Sequence, residues 1–410
     1  MTHSNNNSNR IITHRSADRS WAIHHGDINN VLPTLPSVTF DGAFFDPPYG
    51  LNFMGHKWDG SVPPVTEFQG LLRLCKPGAY LLAFGGPRTF HRLACNIEDA
   101  GWEIRDTLCW LYSDGFPKSH NISKAIDKKL GVKRRSVGKT KAIYRYGYNK
   151  SDKKIEITTS GSDEAKHWDG YGTALKPAWE PIILAMKPVG GTFAENALTR
   201  GNGGLNIDEC RIGTSGGSTR SHQTLYPRLA DGTEDRSNWA RSGHDVEQID
   251  KGRWPANLLL DERAAEFLDV QYGTSRSRRS RRRKAGSNVG NGKTLNPFRS
   301  RIDVVGGYDD EGGASRFFYC AKVRGKERQD NDHPTVKPLA LCEYLACLIL
   351  QPERETPRRL LVPYSGSGSE MIGALSAGWD HVTGIEWHET YVATAHRRLC
   401  KPKDGFARPA

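Results

Sequence analysis

The chain has no long apolar run, no Cys-x-x-Cys pair and no internal repeat. A helical membrane span needs about 20 consecutive apolar residues, so none is expected. The start, Met1-Thr2-His3-Ser4-Asn5-Asn6-Asn7, is polar and offers no hydrophobic centre for a secretory leader. The 8 cysteines are scattered, and Cys75, Cys109, Cys342 and Cys347 fall in apolar patterns. They read as reduced core residues of a cytoplasmic protein, not as a disulfide frame or a zinc site. His381, His388 and His396 lack metal-ligand spacing, so no metal is expected. Acid is also scarce: 46 Asp+Glu stand against 58 Lys+Arg, a net charge of +12 over 410 residues. That balance suits a polyanionic partner, and the length suffices for a large core with a sizeable insertion.

What is present is concentrated at strand ends. Phe40-Asp41-Gly42-Ala43-Phe44-Phe45 reads as a buried parallel strand, and Asp46-Pro47-Pro48-Tyr49 follows it. Two prolines cannot continue a strand ladder, so the chain must turn out just past the carboxylate. An acid, two rigid carbonyls and an aromatic ring then stand at the carboxyl end of a strand, where open α/β sheets place ligands. A planar base stacked on Tyr49 could donate its exocyclic amino hydrogens to Asp46 and the Pro47 carbonyl. An Asp-Pro turn with a solvent-facing tyrosine would use the same four residues.

Near the other end, Leu360-Leu361-Val362 reads as a strand. Pro363-Tyr364-Ser365-Gly366-Ser367-Gly368-Ser369 follows, then a helical stretch from Glu370 to Ala377 closed by Gly378. Strand, small-residue loop and helix bring backbone N–H groups close to an anionic or adenosyl ligand. No lysine follows the last glycine, which excludes a triphosphate-binding loop of the Gly-Lys-Ser/Thr kind. The next strand, His381 to Ile385, ends in Glu386, placed to accept both hydroxyls of a ribose. At the amino end, the strand Trp21 to His25 leads through Gly26-Asp27 to a helix from Ile28 to Leu35 and then to the strand before Asp46. From residue 360 onward and then again from residue 20, the order is unbroken: glycine loop, ribose acid, second acid Asp27 beside the adenine, and Asp-Pro-Pro-Tyr.

In these motifs the chain resembles the amino-group DNA methyltransferases, which modify adenine N6 or cytosine N4 with S-adenosyl-L-methionine. It resembles their permuted β group, of phage and bacterial type, in which Asp-Pro-Pro-Tyr precedes the glycine motif. His333-Pro334-Thr335-Val336-Lys337-Pro338, followed by a helix from Leu339 to Leu350, is similar to that family's His-Pro-Thr-x-Lys-Pro element. Gly115-Phe116-Pro117-Lys118-Ser119-His120-Asn121 and Trp179-Glu180-Pro181-Ile182-Ile183-Leu184-Ala185 resemble its flanking elements. The resemblance covers roughly residues 20–200 and 315–400. It implies an α/β fold of Rossmann-like, S-adenosylmethionine-dependent type, with a mixed, mostly parallel sheet, circularly permuted motif order and large DNA-binding insertions. The domain organisation it implies is a flexible N-terminus (1–19), a catalytic half (20–189), a target-recognition region (190–314), a cofactor half (315–400) and a tail (401–410).

The implied catalytic residues are Asp46, Pro47, Pro48 and Tyr49. The implied cofactor set is Asp27, Asp46, His333, Thr335, Lys337, Pro338, Pro363, Ser365, Gly366, Ser367, Gly368, Ser369 and Glu386. One departure stands out: the family's Asp-Pro-Phe-x-Gly-x-Gly begins here with Val362. The cofactor's ammonium group then needs another partner, which Asp46 or a backbone carbonyl could supply. The implied reaction is direct attack by an exocyclic amino nitrogen of a flipped-out base on the sulfonium methyl, with neither a cysteine nucleophile nor a metal. Asp at the first tip position points to adenine N6, with cytosine N4 as the alternative. A decayed enzyme that only binds DNA, or one acting on RNA or a protein amide, would share the fold. Double-stranded DNA is the implied partner, and a restriction endonuclease is compatible as a second; monomer and homodimer both fit.

The charge is uneven. Residues 116–176 carry 15 Lys/Arg against 6 Asp/Glu, a net of +9, interleaved with Tyr144, Tyr146, Tyr148, Trp168 and Tyr171. This insertion (116–178) interrupts a hairpin between strands near 105–111 and 181–185, and is expected to hold phosphates through Lys118, Arg134, Arg135 and Arg145. The region 190–314 is rich in glycine, serine and arginine, with one convincing element, an apolar run and an Asp261-capped helix within 254–270. The run 276–284 holds seven basic residues in nine. It is expected to be disordered by itself, with Arg278, Arg279, Arg281 and Arg282 giving non-specific phosphate affinity.

Overall fold

The computed structural model describes residues 11–51, 59–113, 115, 119–141, 154–213, 218–221, 245–248, 251–277, 279–283, 302–322, 331 and 336–400. The chain divides into two units, one of residues 1–113 with 179–410, the other Asp114–Ala178.

The larger unit is built on one ten-stranded sheet. In chain order its strands are β1 (Ile12–Arg15), β2 (Trp21–His25), β3 (Phe40–Phe45), β4 (Cys75–Phe84), β5 (Glu103–Leu111), β6 (Trp179–Met186), β7 (Leu258–Asp261), β8 (Tyr319–Ala321), β9 (Arg359–Pro363) and β10 (His381–Glu386). Across the sheet they run β1-β2-β10-β9-β3-β4-β6-β5-β7-β8. The pairs from β2 through β10, β9 and β3 to β4 are all parallel. The two strands latest in sequence therefore lie between two of the earliest, which is the permuted order in physical form. β6 is antiparallel to both β4 and β5, so its amino end lies beside the carboxyl ends of β3 and β4.

Both faces of the central strands are covered, which is why they read as continuous apolar runs. Successive side chains point to opposite faces. Phe44, Leu82, Phe84, Leu184 and Val362 join the core on one side, and Phe45, Leu81, Ala83, Ile183 and Leu361 the core on the other. The helix Leu339–Leu348 is buried on nearly every side and packs against the helix Ser369–Ala377. At Gly373 a side chain would stand 2.5 Å from the Cys342 Cβ, so only glycine lets the two helices approach this closely. At the amino end of β3 the fully buried Asp41 is neutralised by Lys76 at 2.7 Å and Arg354 at 2.6 Å.

One element differs from the sequence expectation, and two take forms the sequence left open. The helix expected over 28–35 is α-helical only at Ile28–Val31 and tightens to a 3-10 turn at Leu32–Thr34. Pro33 has no N–H to continue the α-ladder. The apolar run before the Asp261-capped helix is a sheet strand, β7, parallel to β5 and β8. Asp261 does cap Glu262–Tyr272, accepting from the Ala264 N–H at 2.6 Å. In the basic run, Arg279–Arg283 pairs as an antiparallel ribbon with Ile302–Gly307. Ladder partners 19 to 28 residues away are invisible to a local composition reading.

In the smaller unit, strands Arg135–Lys141 and Lys154–Thr159 pair antiparallel beside helices Ile122–Leu130 and Asp163–His167. Its hub is the buried Asp127, which accepts from the N–H groups of Gly161 and Ser162 and the Ser162 hydroxyl, and pairs with Arg134 at 2.6 Å. Burial acts to raise this carboxyl, but these donors outweigh it and hold it below the ordinary aspartate range. Among the described residues, no helix is long and apolar enough to cross a membrane, and no His/Cys/Asp/Glu group is placed to hold a metal.

Candidate active site

Parallel pairing brings four predicted features to one edge of the sheet. Asp46 follows β3, Pro363 ends β9, Glu386 ends β10, and Asp27 lies just past β2. After Asp46 the chain does turn out. Asp59 fastens the turn by accepting from the N–H groups of Tyr49, Gly50 and Leu51 at 2.7, 2.9 and 3.1 Å. Gly50 sits at φ +68°, where a side chain would also press on the Val62 backbone.

The Asp46 carboxylate belongs to a buried polar cluster. Tyr49 donates its hydroxyl to Asp46 Oδ1 at 2.7 Å, and Lys337 Nζ stands 3.1 Å from Oδ2. Lys337 also bonds Glu180 at 2.8 Å and the Tyr49 oxygen at 2.9 Å, and lies 4.5 Å above the centre of the Phe84 ring. One ammonium thus serves two carboxylates. Burial lowers the Lys337 pKa, but Asp46 and Glu180 outweigh it and the group is held above the ordinary lysine range. Burial, then the same two carboxylates, keep the Tyr49 phenol neutral. Tyr49 has a single proton to give, and the shorter contact assigns it to Asp46, not to Glu180 at 3.3 Å. The Tyr49 ring borders Gly86, where a Cβ would come within 3.2 Å of it.

The glycine loop is held open by three left-handed residues, Tyr364 (φ +56°), Gly366 (φ +50°) and Gly368 (φ +84°). Tyr364 is kept in this uncommon conformation by its hydroxyl bond to Glu67 and by packing on the Phe45 ring. Glu386 receives the Gly366 N–H and the His388 N–H, one per oxygen, both at 2.8 Å. Burial raises this carboxyl to about 7 despite those donors. Each oxygen retains a lone pair for a hydroxyl. Arg398 braces the far side of the loop through the Ser367 carbonyl and the Ser369 hydroxyl, and Ser367 Oγ also receives Asn331. Among the described residues, Ser365 Oγ is buried with no partner. Asp27 caps its helix through the Asn29 N–H at 2.8 Å. An open glycine loop, a two-oxygen acceptor at the next strand tip and an unsatisfied buried hydroxyl fit S-adenosylmethionine. Gly366, Glu386 and Ser365 would hold its adenosyl side.

Pro47 and Pro48 stand in the tip turn, and Pro338 caps the helix that follows Lys337. His333, Thr335, Lys118, Arg145 and Arg278 lie outside the described residues. Arg279, Arg281 and Arg282 lie in the ribbon strand. Arg135 is exposed, as a phosphate contact requires. Arg134 is not: its guanidinium is turned inward onto Asp127, Ser123 and Thr158, because a buried carboxylate at hydrogen-bond distance outcompetes solvent. The sequence does not single out two residues that the structure brings to the site, Glu180 and Asp59. For Glu180 the signal was its place at the start of a strand after a long insertion, although only antiparallel pairing carries that start to the site.

A family model described as DNA methylase, N6_N4_Mtase, matches residues 40–397. Solved structures that the chain matches include M1.HpyAVI in complex with SAM, at 14% identity and TM-score 0.35, covering 92% of this chain and 98% of that one. A DNA modification methylase from Thermus thermophilus, TTHA0409, gives 14% and 0.38, covering 94% and 96%. The PvuII DNA methyltransferase (cytosine-N4-specific) gives 10% and 0.41, covering 95% and 88%. No curated protein matches the chain.

Proposed function

This chain belongs to the DNA methylase family whose members methylate amino groups, adenine N6 or cytosine N4, and we propose that it transfers a methyl group from S-adenosylmethionine to adenine N6 in double-stranded DNA. The observation that carries this reading is the Asp46–Tyr49–Lys337–Glu180 cluster at the sheet edge that also bears the glycine loop and Glu386.

When bound, the cofactor supplies an electrophilic methyl group on sulfur. The protein's part is positioning and electrostatics. The Asp46 oxygens each hold one internal partner and keep a lone pair for an amino hydrogen; the Pro47 carbonyl takes the second hydrogen. Both bonds favour a pyramidal nitrogen whose lone pair points away from the ring and towards the methyl group. Lys337 balances the carboxylates while Tyr49 fixes the Asp46 rotamer and offers its ring face to the base. An amino group inside a duplex is out of reach, so the base is flipped into this edge. The exposed Arg135 and the basic ribbon supply phosphate contacts. Asp at position 46, where Ser is commoner among cytosine N4 enzymes, favours adenine. The test is mass spectrometry of DNA hydrolysed after incubation with protein and S-adenosylmethionine. N6-methyladenine is expected; N4-methylcytosine alone would overturn the choice of base, and no methylated base would overturn the activity.

A further inference from the structure

Glu370 opens the helix Ser369–Ala377 directly after Gly368, and its side chain is buried. Apart from its own backbone N–H, it has no hydrogen-bonding or ionic partner among the described residues. The groups that face it are Asp46 from the tip of β3, Lys337 before the helix Leu339–Leu348, Cys342 within that helix, and Arg398 from the last helix. Both neighbouring cations are directed elsewhere. Lys337 bonds Asp46 and Glu180, and Arg398 bonds Ser367 and Ser369. A buried carboxylate without a cation is costly, and a cationic ligand group beside it would offset that cost. Burial, with Asp46 second, raises this carboxyl to about 7. The other acid beside it, Asp46, has one internal partner on each oxygen and is assigned to the target amino group, and Val362 is packed into the core.

We infer that Glu370 is the anionic seat for the α-ammonium group of the cofactor's methionine moiety, an assignment that rests on the proposed use of S-adenosylmethionine. It is a binding residue distinct from the glycines that admit the adenosyl part and from the Glu386 carboxylate. The loop therefore holds the cofactor at two ends: backbone and Glu386 on the ribose side, the first helical turn on the amino-acid side.

The test compares two ligands by calorimetry. S-adenosylhomocysteine carries the ammonium group; 5′-methylthioadenosine has the same adenosyl thioether without the amino acid. Glu370→Gln is expected to weaken S-adenosylhomocysteine by at least about tenfold and to leave 5′-methylthioadenosine within about twofold. Retained binding of the second ligand also shows that the variant is folded. Equal losses for both ligands, or no loss for either, would overturn the assignment. A second measurement uses the unmodified protein. Between about pH 8 and pH 6 the ligand ammonium stays charged while Glu370 takes up a proton. The affinity ratio of S-adenosylhomocysteine to 5′-methylthioadenosine should then fall several-fold. Glu386 contributes equally to both ligands, which share the ribose, so its titration cancels. A ratio independent of pH would sink the assignment. If the unmodified protein binds neither ligand, the cofactor reading fails, an outcome distinct from a failure at Glu370 alone.

Discussion

Replacing Lys337 by methionine removes the one ammonium shared by two carboxylates and keeps most of the side-chain volume. Lys337 is 5% exposed, with Asp46 and Glu180 at 15% and 18%, so little solvent is at hand to screen the charges left behind. The substitution breaks the ion pairs with Asp46 at 3.1 Å and Glu180 at 2.8 Å, together with the bond to the Tyr49 oxygen. Removing one partner of a buried ion pair costs about 3–5 kcal/mol, because the other charge stays buried and uncompensated. Here two such charges remain, with only the Tyr49 hydroxyl between them. Lys337→Met should therefore lower the unfolding free energy by at least about 3 kcal/mol in urea denaturation at pH 7.5. Adding Glu180→Gln to that variant should recover part of the loss, since one uncompensated carboxylate disappears; in the parent background Glu180→Gln should destabilise. This change of sign is a coupling that a double-mutant cycle isolates. A loss under about 1 kcal/mol for Lys337→Met, or strictly additive effects of the two changes, would refute the charge-sharing account.

Three further outcomes are expected. Asp46→Ala should reduce methyl transfer by at least about a thousandfold while cofactor affinity stays within about tenfold, measured by radiolabel transfer and calorimetry; unimpaired turnover would remove Asp46 from catalysis. Gly368→Leu places a side chain at φ +84°, with its Cβ 3.1 Å from the Ala395 Cβ, and should raise the cofactor dissociation constant at least about tenfold; unchanged binding would make the loop purely structural. Neutralising Arg278, Arg279, Arg281, Arg282, Arg283 and Lys284 should weaken binding to all duplexes alike, flattening the salt slope by about 0.9 for each phosphate no longer neutralised, with the methylated sequence unchanged; a new site preference would show that the run reads bases.

The sequence alone determined the elements whose signals are local. The strands Trp21–His25, Phe40–Phe45 and His381–Glu386 were legible as apolar runs, and the turn after Asp46 and the glycine loop as strand-end chemistry. Their permuted order was legible too, because each motif carries its own composition. Tertiary structure decided which charges meet. Glu180 lies 131 residues from Tyr49 and 157 from Lys337, and only the antiparallel course of β6 delivers it to the edge where β3 ends. Arg134 and Arg135 are neighbours of the same charge, yet one is drawn onto Asp127 and the other faces solvent. Periodicity and composition report on a few adjacent turns or pleats. Whether a carboxylate is paired, and with what, depends on strand order and register between distant segments, and so does the burial that leaves Glu370 without a cation.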